Sequence, residues 1–458
     1  MTKQHELDRT IRLVRESVPD HLTDDEIIRH FQSFHVTCRA DAANLSTQVG
    51  QTALITFISL VARMGVQIHL EVPEVRLAGR QPPLRNEFLV EGLVELGNDL
   101  IPGSSITRAS ASPSNMQFLF GDTPQVSGQT SGWRVFGHDW AGKICQTHLV
   151  GNQWKADWPI GAMTAACLAA AEVYKGVVRH IGPLQQQSYL FEAVQRAIWD
   201  WGSDCPIDFD LGCGSVDLVS AGAINQAAMY ALLRVPGLRL LPRIFDDDLV
   251  DGTTLNRGML TRFSDIGRSK TDVIPSNIPS EPILVKLDRK SLLRYAPLAP
   301  SILVGVDDIP SRWEIQRATP DWLGVGGTSH YGTITSSHEA GQACAGCLHW
   351  KDDSESPRFL PTVSFVSFWA GLALAVRFLR HTLKRPYPQQ KQYLWLVPLK
   401  MDDPNVGWWS PVAPNKDCPV GCGAAKASEH VAQALDNLDL KTDPNPIVPL
   451  IGTRLTTS

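Results

Sequence analysis

VDLVSAGAINQAAMYALLRVPGLRLLPRIFDDDLVDGTTLNRGMLTRFSDIGRSK, residues 216 to 270, decides how the chain folds. An apolar run, Val216 to Val219, meets a tight turn of small residues, Ser220-Ala221-Gly222-Ala223. A helical segment follows from Asn225 to Leu233. A second apolar run, Leu238 to Phe245, ends in Asp246, Asp247 and Asp248. Strand, small-residue turn, helix, and strand with a terminal acid is the layout of a nucleotide-binding βαβ unit. The expected class is therefore α/β, with a Rossmann-like doubly wound sheet in the C-terminal half.

The residue types in this stretch carry a chemistry. A nucleotide phosphate is held by backbone N–H groups at a helix N-terminus, presented where no Cβ intervenes. Gly222 and Ala223 are the candidates, with Ser220 and Asn225 where the outer glycines of a GxGxxG loop would stand. Alone, that turn reads equally well as an ordinary strand-to-helix connection. Asp246 and Asp248 sit where a carboxylate accepts from a ribose hydroxyl, or where an acidic loop caps a strand. Asn256, Arg257 and Lys270 then bring an amide and two cations to the same strand edge. Cationic donors there hold a triphosphate and stabilise charge building on phosphorus, which a nicotinamide site does not need. Downstream, the apolar run Ile302 to Val306 ends in Asp307 and Asp308. Asp307 is a candidate ligand for Mg²⁺, with a strand-end cap as the alternative.

Working outward, the remaining chain repeats the same kind of unit. Gly50 to Met64 is a strongly apolar helix, ended by Gly65 and followed by an alternating strand, Val66 to Val75. Leu84 to Leu96 is a helix, and Met116 to Phe120 and Trp133 to Phe136 are short strands between Gly/Ser/Pro loops. Pro159 to His180 and Pro361 to Thr382 each start with proline, run as an apolar helix, and carry Lys175 and Arg377 at matching offsets. That pattern implies a duplication, with a degenerate copy of the fold in the N-terminal half. The expected organisation is a helical segment at 1–35, a first unit at 36–200, a second at 208–440 and a loose tail at 441–458. Gln185 to Trp201 reads as a linking helix, and Glu429 to Leu438 as a last helix. Pro282 to Val285, Trp322 to Val325 and Tyr393 to Leu399 complete the second unit's strands.

Composition excludes several classes. With 458 residues, 43% hydrophobic and 19% charged, the chain is long enough for two or three domains and has ordinary globular content. A net charge of −5 gives no polybasic surface for nucleic acid or membrane. Thirteen tryptophans point to large buried contacts. The polar N-terminus has no signal-peptide core, so a cytoplasmic location is the default expectation. Of nine cysteines, Cys344, Cys347, Cys418 and Cys422 form two close pairs, which fits a structural Zn²⁺ site better than redox or buried thiols. His349 is a substitute ligand candidate. The others, Cys38, Cys145, Cys167, Cys205 and Cys213, are scattered.

Taken together, these residues resemble the superfamily of ubiquitin-activating enzymes and the ThiF-type adenylyltransferases of molybdopterin and thiamine synthesis. The pattern is a small-residue loop, Asp246-x-Asp248, TTLNR (Thr253 to Arg257), DIGRSK ending in Lys270, VDDIPSR (Val306 to Arg312), CAGC (Cys344 to Cys347) and CPVGC (Cys418 to Cys422). The departures are Ser220, Asn225, Thr254 where the family has Asn, and a CxxxC second pair. The resemblance implies ATP-dependent adenylation of the C-terminal carboxylate of a ubiquitin-like or sulfur-carrier protein, with ATP, Mg²⁺ and Zn²⁺ as cofactors. In it, Gly222, Ala223, Asp246, Asp248, Asn256, Arg257 and Lys270 bind nucleotide. Arg257, Lys270 and Asp307 act on the phosphates and Mg²⁺, and the four paired cysteines hold Zn²⁺. It also implies an inactive N-terminal half, a conjugating enzyme as a further partner, pairing of adenylation units as in a homodimer, and a setting that includes bacterial defence operons. An arginine near the N-terminus, Arg9, Arg12 or Arg15, would reach a paired site. Neither Cys205 nor Cys213 lies where the family's thioester cysteine stands, and both read as packing residues. A peptide-adenylating ligase of the same fold and an inactive scaffold are the alternatives.

Overall fold

The computed structural model describes residues 6–108, 113–125, 132–154, 157–184, 188–275, 280–351, 360–403 and 407–422. The chain opens with two helices, α1 (Asp8–Arg15) and α2 (Asp24–Gln32). Thr23 starts α2 with a reciprocal cap: its hydroxyl accepts from the Glu26 amide, and the Glu26 carboxylate accepts from the Thr23 amide.

The N-terminal half is built on β1 (His35–Arg39), α3 (Gln48–Ala62), β2 (Gln67–Glu71), α4 (Leu89–Gly97), β3 (Ile106–Thr107), β4 (Met116–Phe120), β5 (Gly132–His138), β6 (Ala141–Gln146), α5 (Ile160–Ile181) and β7 (Arg196–Asp200). Its strands lie in the order β3-β2-β1-β4-β5-β6-β7. Pairings from β3 through β5 are parallel, and those of β6 and β7 antiparallel. The C-terminal half repeats this with β8 (Cys213–Val219), α6 (Ala223–Leu232), β9 (Arg239–Phe245), β10 (Glu281–Ile283), α7 (Arg289–Tyr295), β11 (Ser301–Val304), α8 (Ile309–Arg317), β12 (Trp322–Ser329), β13 (Gly332–Glu339), α9 (Ala345–Leu348), α10 (Ser364–Thr382), β14 (Tyr393–Leu396) and β15 (Gly407–Ser410). The order there is β10-β9-β8-β11-β12-β13-β14-β15, again parallel first and antiparallel afterwards. The second sheet is thus the first with one strand added, and the duplication is a matter of topology. In both, strand order reverses beside the first strand, where such sheets take ligands.

The two halves share one hydrophobic core rather than touching through a wet seam. Long apolar helices supply it: α5 meets the length and apolarity of a membrane span, yet 94% of that window is buried inside the protein. Trp140, Trp154, Trp158, Trp201, Trp322 and Trp369 are all fully buried, which accounts for much of the tryptophan count. Full burial of each large apolar side chain contributes about 1.5–3 kcal/mol. Close packing of α10 on α6 needs glycine at 371, where a Cβ would meet the Ile224 carbonyl oxygen at 2.4 Å. Polar ties cross the same seam: the Thr56 and Tyr230 hydroxyls bond at 2.9 Å, and Ser364 donates to the Leu60 carbonyl at 2.8 Å.

Three departures from the sequence reading have physical causes. Gln185 to Trp201 is not a linking helix; it holds a short turn, Ser188–Phe191, and the edge strand β7. Its residues favour helix locally, but pairing with β6 overrides that preference. The antiparallel strands β6 and β13 were not anticipated, because their Gly, Lys, Thr and Ser content hides alternation. The Leu84 to Leu96 helix begins only at Leu89. Glu429 to Leu438 and the 441–458 tail lie outside the described residues.

Candidate active site

The cleft lies at the C-terminal ends of β8, β9 and β11, with a volume of about 450 Å³. Gly222, Ala223, Asp246, Asp248, Arg257, Lys270 and Asp307 all line it. Arg9 joins residues between Val219 and Ser367 in one concavity, so the C-terminal half builds the site and α1 reaches into it.

Its floor is the turn entering α6. Gly222 is the N-cap and makes no side-chain cap bond, so the helix's first amides face the cleft without a competing acceptor. Ser220 adopts φ 80°, the left-handed conformation that the missing glycine would take without strain. Its hydroxyl accepts from the Gly222 amide at 2.9 Å, which offsets part of that cost. Asn225 does comparable work: its side-chain amide donates to the carbonyls of Val219, Ser220 and Leu303, at 2.9, 2.7 and 3.2 Å. The two departures from the glycine pattern are latches that tie the turn to β8 and β11.

The acids divide their tasks. Asp246 is buried, with one oxygen accepting from the Ala221 amide at 2.7 Å and the other from the Asp248 amide at 2.8 Å. Burial raises its pKa despite those bonds. Asp248 is exposed and ion-paired with Lys270 at 2.6 Å. A similar split occurs after β11. Both acids are exposed and line the cleft, but Asp308 caps α8 by accepting from the Ser311 amide at 2.8 Å, whereas Asp307 makes no such cap. Asp307 therefore fits a hard cation better than its neighbour does. Oxygens of Asp246, Asp247 and Asp248 also lie within 4.8 Å of one another, a second oxygen cluster on the rim.

The cations come from separate segments. Arg257 is half-buried, bonded to the Thr253 carbonyl and to Asn256 Oδ1. Burial, then the neighbouring Arg9, push its pKa down to about 9. Asn256 does not line the cleft. Its amide nitrogen donates to Thr10 Oγ1 at 3.1 Å and the Thr362 carbonyl at 3.3 Å, one layer behind. That contact, with the Tyr331 hydroxyl donating to Leu13, docks α1 and brings Arg9 onto the cleft. Arg9 donates to the Leu360 carbonyl at 3.2 Å and has Asp307 and Asp251 as electrostatic neighbours. Arg12 and Arg15 face elsewhere, paired with Asp8 and Asp24. Two guanidiniums held together out of bulk water repel one another, and a polyanion between them would relieve that. Sequence reasoning had Arg9 among three candidates; only the docking of α1 separates it from the other two.

The cysteine pairs close into one cluster. Sulfur–sulfur separations are 3.4 Å (Cys344–Cys418), 3.2 Å (Cys347–Cys422), 3.9 Å (Cys344–Cys347) and 3.7 Å (Cys418–Cys422). A tetrahedron of ~2.3 Å Zn–S bonds has edges of ~3.8 Å, so the set fits a zinc ion. All are too long for the ~2.05 Å of a disulfide. Glycine is needed at 346, where a Cβ would meet Cys418 Sγ at 2.9 Å. His349 is not a ligand candidate here, because its Nε2 lies 2.9 Å from an Arg312 guanidinium nitrogen. Cys205 is buried against the core and its thiol pKa is raised by burial, as a packing residue. Cys213 begins β8, and its side chain is outside the described set.

Residues 33–186 match the family model of the BilD N-terminal domain. The chain is 24% identical over 276 residues to the uncharacterized protein y4jF of Sinorhizobium fredii strain NBRC 101917 / NGR234, covering 58% of this chain. It spans about half, 52%, of that relative's length. Among solved structures, Escherichia coli MccB with succinimide gives a TM-score of 0.40 at 15% identity, over 64% of this chain and 97% of the other. MccB with ATP gives 0.38 at 16%, over 63% and 97%.

Proposed function

We propose that the protein is an ATP-dependent adenylyltransferase that activates a carboxylate, most concretely the C-terminus of a ubiquitin-like or sulfur-carrier protein. One observation carries the reading: three cations from three segments, Arg9, Arg257 and Lys270, surround the open N-terminus of α6 beside Asp246, Asp248 and Asp307. That is a triphosphate cradle with a ribose acceptor, and hydride chemistry has no use for the cations.

In this reading the amides at the start of α6, from Ala223 onward, hold phosphate oxygens, and Gly222, whose own amide is bonded to Ser220, leaves their approach without a side chain. Asp248 is the freer acceptor for a ribose hydroxyl, while Asp246 braces the turn and the Asp248 amide. The substrate carboxylate attacks the α-phosphorus, the bond to the bridging oxygen breaks, and pyrophosphate leaves with that electron pair. Arg9, Arg257 and Lys270 neutralise the charge that develops. Asp307 would hold Mg²⁺, which when bound supplies further neutralisation of phosphate charge. The four cysteines would hold Zn²⁺ as a structural tie. The N-terminal half acts as an inactive mate, so one chain supplies both members of a pair.

A second reading, adenylation of a short peptide by the same machinery, is favoured by the cysteines. Cys38, Cys145, Cys167 and Cys205 are all buried, so none offers an exposed thiol for a thioester. ATP–pyrophosphate exchange separates the two. Exchange that requires a small protein ending in glycine supports the first reading, exchange with a short peptide the second, and no ATP binding with any carboxylate defeats both. Exchange unaffected by Asp307→Ala would remove the metal assignment.

A further inference from the structure

Two buried arginines stand at equivalent places in the two halves. Arg63 is the C-cap of α3, and Arg234 follows the C-cap of α6. They are 0% and 1% exposed. Each reaches across the seam into the other half. Arg234 donates to the Pro82 carbonyl, between β2 and α4, and to its own helix at Tyr230, whose ring it covers at 3.5 Å. Arg63 donates to the carbonyls of Leu255 at 2.7 Å, Thr261 at 2.7 Å and Met259 at 3.2 Å.

The exchange is symmetric, but its consequences are not. The segment that Arg63 grips carries Asn256 and Arg257, and the one that Arg234 grips lines no part of the cleft. Arg257 takes its orientation from this segment's own groups, the Thr253 carbonyl and Asn256 Oδ1. Gln226 connects the same segment to the phosphate turn: its Oε1 accepts from Thr261 Oγ1 at 2.9 Å, and its amide donates to the Ala221 carbonyl at 2.9 Å. A planar guanidinium suits three fixed carbonyls; an ammonium cannot meet all three from one stem position.

We propose that Arg63 is a positioning residue for the nucleotide site, through which the N-terminal half fixes the Leu255–Thr261 backbone and with it Arg257. This rests on the adenylation reading for its functional consequence, but not for its structural part. Arg234 is the internal control, equally buried and bonded across the seam at Pro82, but turned away from the site.

The experiment uses the full chain with Arg63→Ala, Arg63→Lys and Arg234→Ala, and measures melting temperature, ATP affinity by calorimetry, and amide exchange over 252–262. Arg63→Ala is expected to raise the ATP Kd about tenfold or more, as expected when a phosphate-binding group is displaced by a distant change, and to speed exchange in 252–262. Arg63→Lys should fall between it and the unaltered protein. Arg234→Ala should lower the melting temperature comparably while leaving the Kd within about twofold, the scatter of an uncoupled site. Equal loss of ATP affinity in Arg63→Ala and Arg234→Ala at matched melting temperature would overturn the proposal. If Arg63→Ala does not fold, Arg63→Lys decides: unchanged Kd and exchange overturn it. If the unaltered protein binds no ATP, the adenylation reading fails by itself, and the exchange over 252–262 still supports or overturns the positioning role.

Discussion

The first helix after the first strand ends differently at its N-terminus in the two halves. In the N-terminal half, Thr47 caps α3, its hydroxyl accepting from the Gly50 amide at 3.0 Å. The Asn44 carbonyl then presses so close that a Cβ on Gly50 would meet it at 1.8 Å. Asn44 also bonds Asp41 at 3.0 Å and Asp122 at 2.8 Å, closing the turn with its own side chains. In the C-terminal half, Gly222 leaves the start of α6 uncapped and facing the cleft. The same sheet thus ends once in a satisfied turn and once in a set of amides that want an anion. The N-terminal half is expected to bind no nucleotide because Thr47 takes the Gly50 amide and the Asn44 backbone presses against the start of α3, where a phosphate would have to lie.

This contrast can be attacked at several strengths. Only the C-terminal half has the cysteine tie, so removing zinc by chelation, or changing Cys344→Ser, should cost on the order of several kcal/mol there. Metal analysis should fall from about one zinc per chain to none, while amide exchange in β1, β4 and α3 stays slow. Next, Gly222→Asp gives α6 a side-chain cap, as the Thr47 hydroxyl does for α3, and adds a negative charge. ATP binding should weaken by about 10²-fold, since a like charge is set against the phosphates, with the melting temperature unchanged or slightly raised. Retained ATP affinity would mean that the α6 terminus is not the phosphate site.

Acid should also test the packing of the C-terminal sheet. His338 on β13 is fully buried, and its pKa is pushed down to about 4 by burial, with Arg377 adding to the effect. Ser336, the Ala343 carbonyl and Gln392 are its other partners. Below its usual 6.5 the unfolded chain takes up a proton that the folded chain refuses. Stability should therefore be lost as pH falls from 6.5 towards 4, by about 3 kcal/mol. Denaturant midpoints across that range, compared with His338→Asn, check it; an unchanged slope would remove the assignment. The smallest effect belongs to Thr47→Ala, which should cost about 1 kcal/mol of stability and leave ATP affinity unchanged.

Much of the site was legible because chemistry forces residue types at strand ends. Asp246, Asp248 and Asp307 follow the ends of apolar runs, Arg257 and Lys270 come from TTLNR and DIGRSK, and all five meet in one cleft. Asn256 was legible as important but not in its task, because its side chain turns inward to dock α1. Ser220 and Asn225 looked like losses because a glycine pattern records only what is small; their hydrogen bonds are visible only once β11 is alongside. Arg63 gave no local signal at all. It sits in an apolar helix, and its partners lie about 200 residues away in the chain. The edge strand β7 was missed because its exposed Arg196 and Ile198 alternate too weakly to outweigh local helix preference.

The docking of α1 has a consequence for how the protein is made. Arg9 leaves the ribosome before Asp307, which lines the same cleft and follows 298 positions later. At ~5–20 residues per second that interval is roughly 15–60 s. Throughout it, α1 has no cleft to complete and its Thr10 has no Asn256 to meet. The site is therefore closed by an earlier part of the chain settling onto a later one, and a nascent protein cannot complete the cleft before both halves exist.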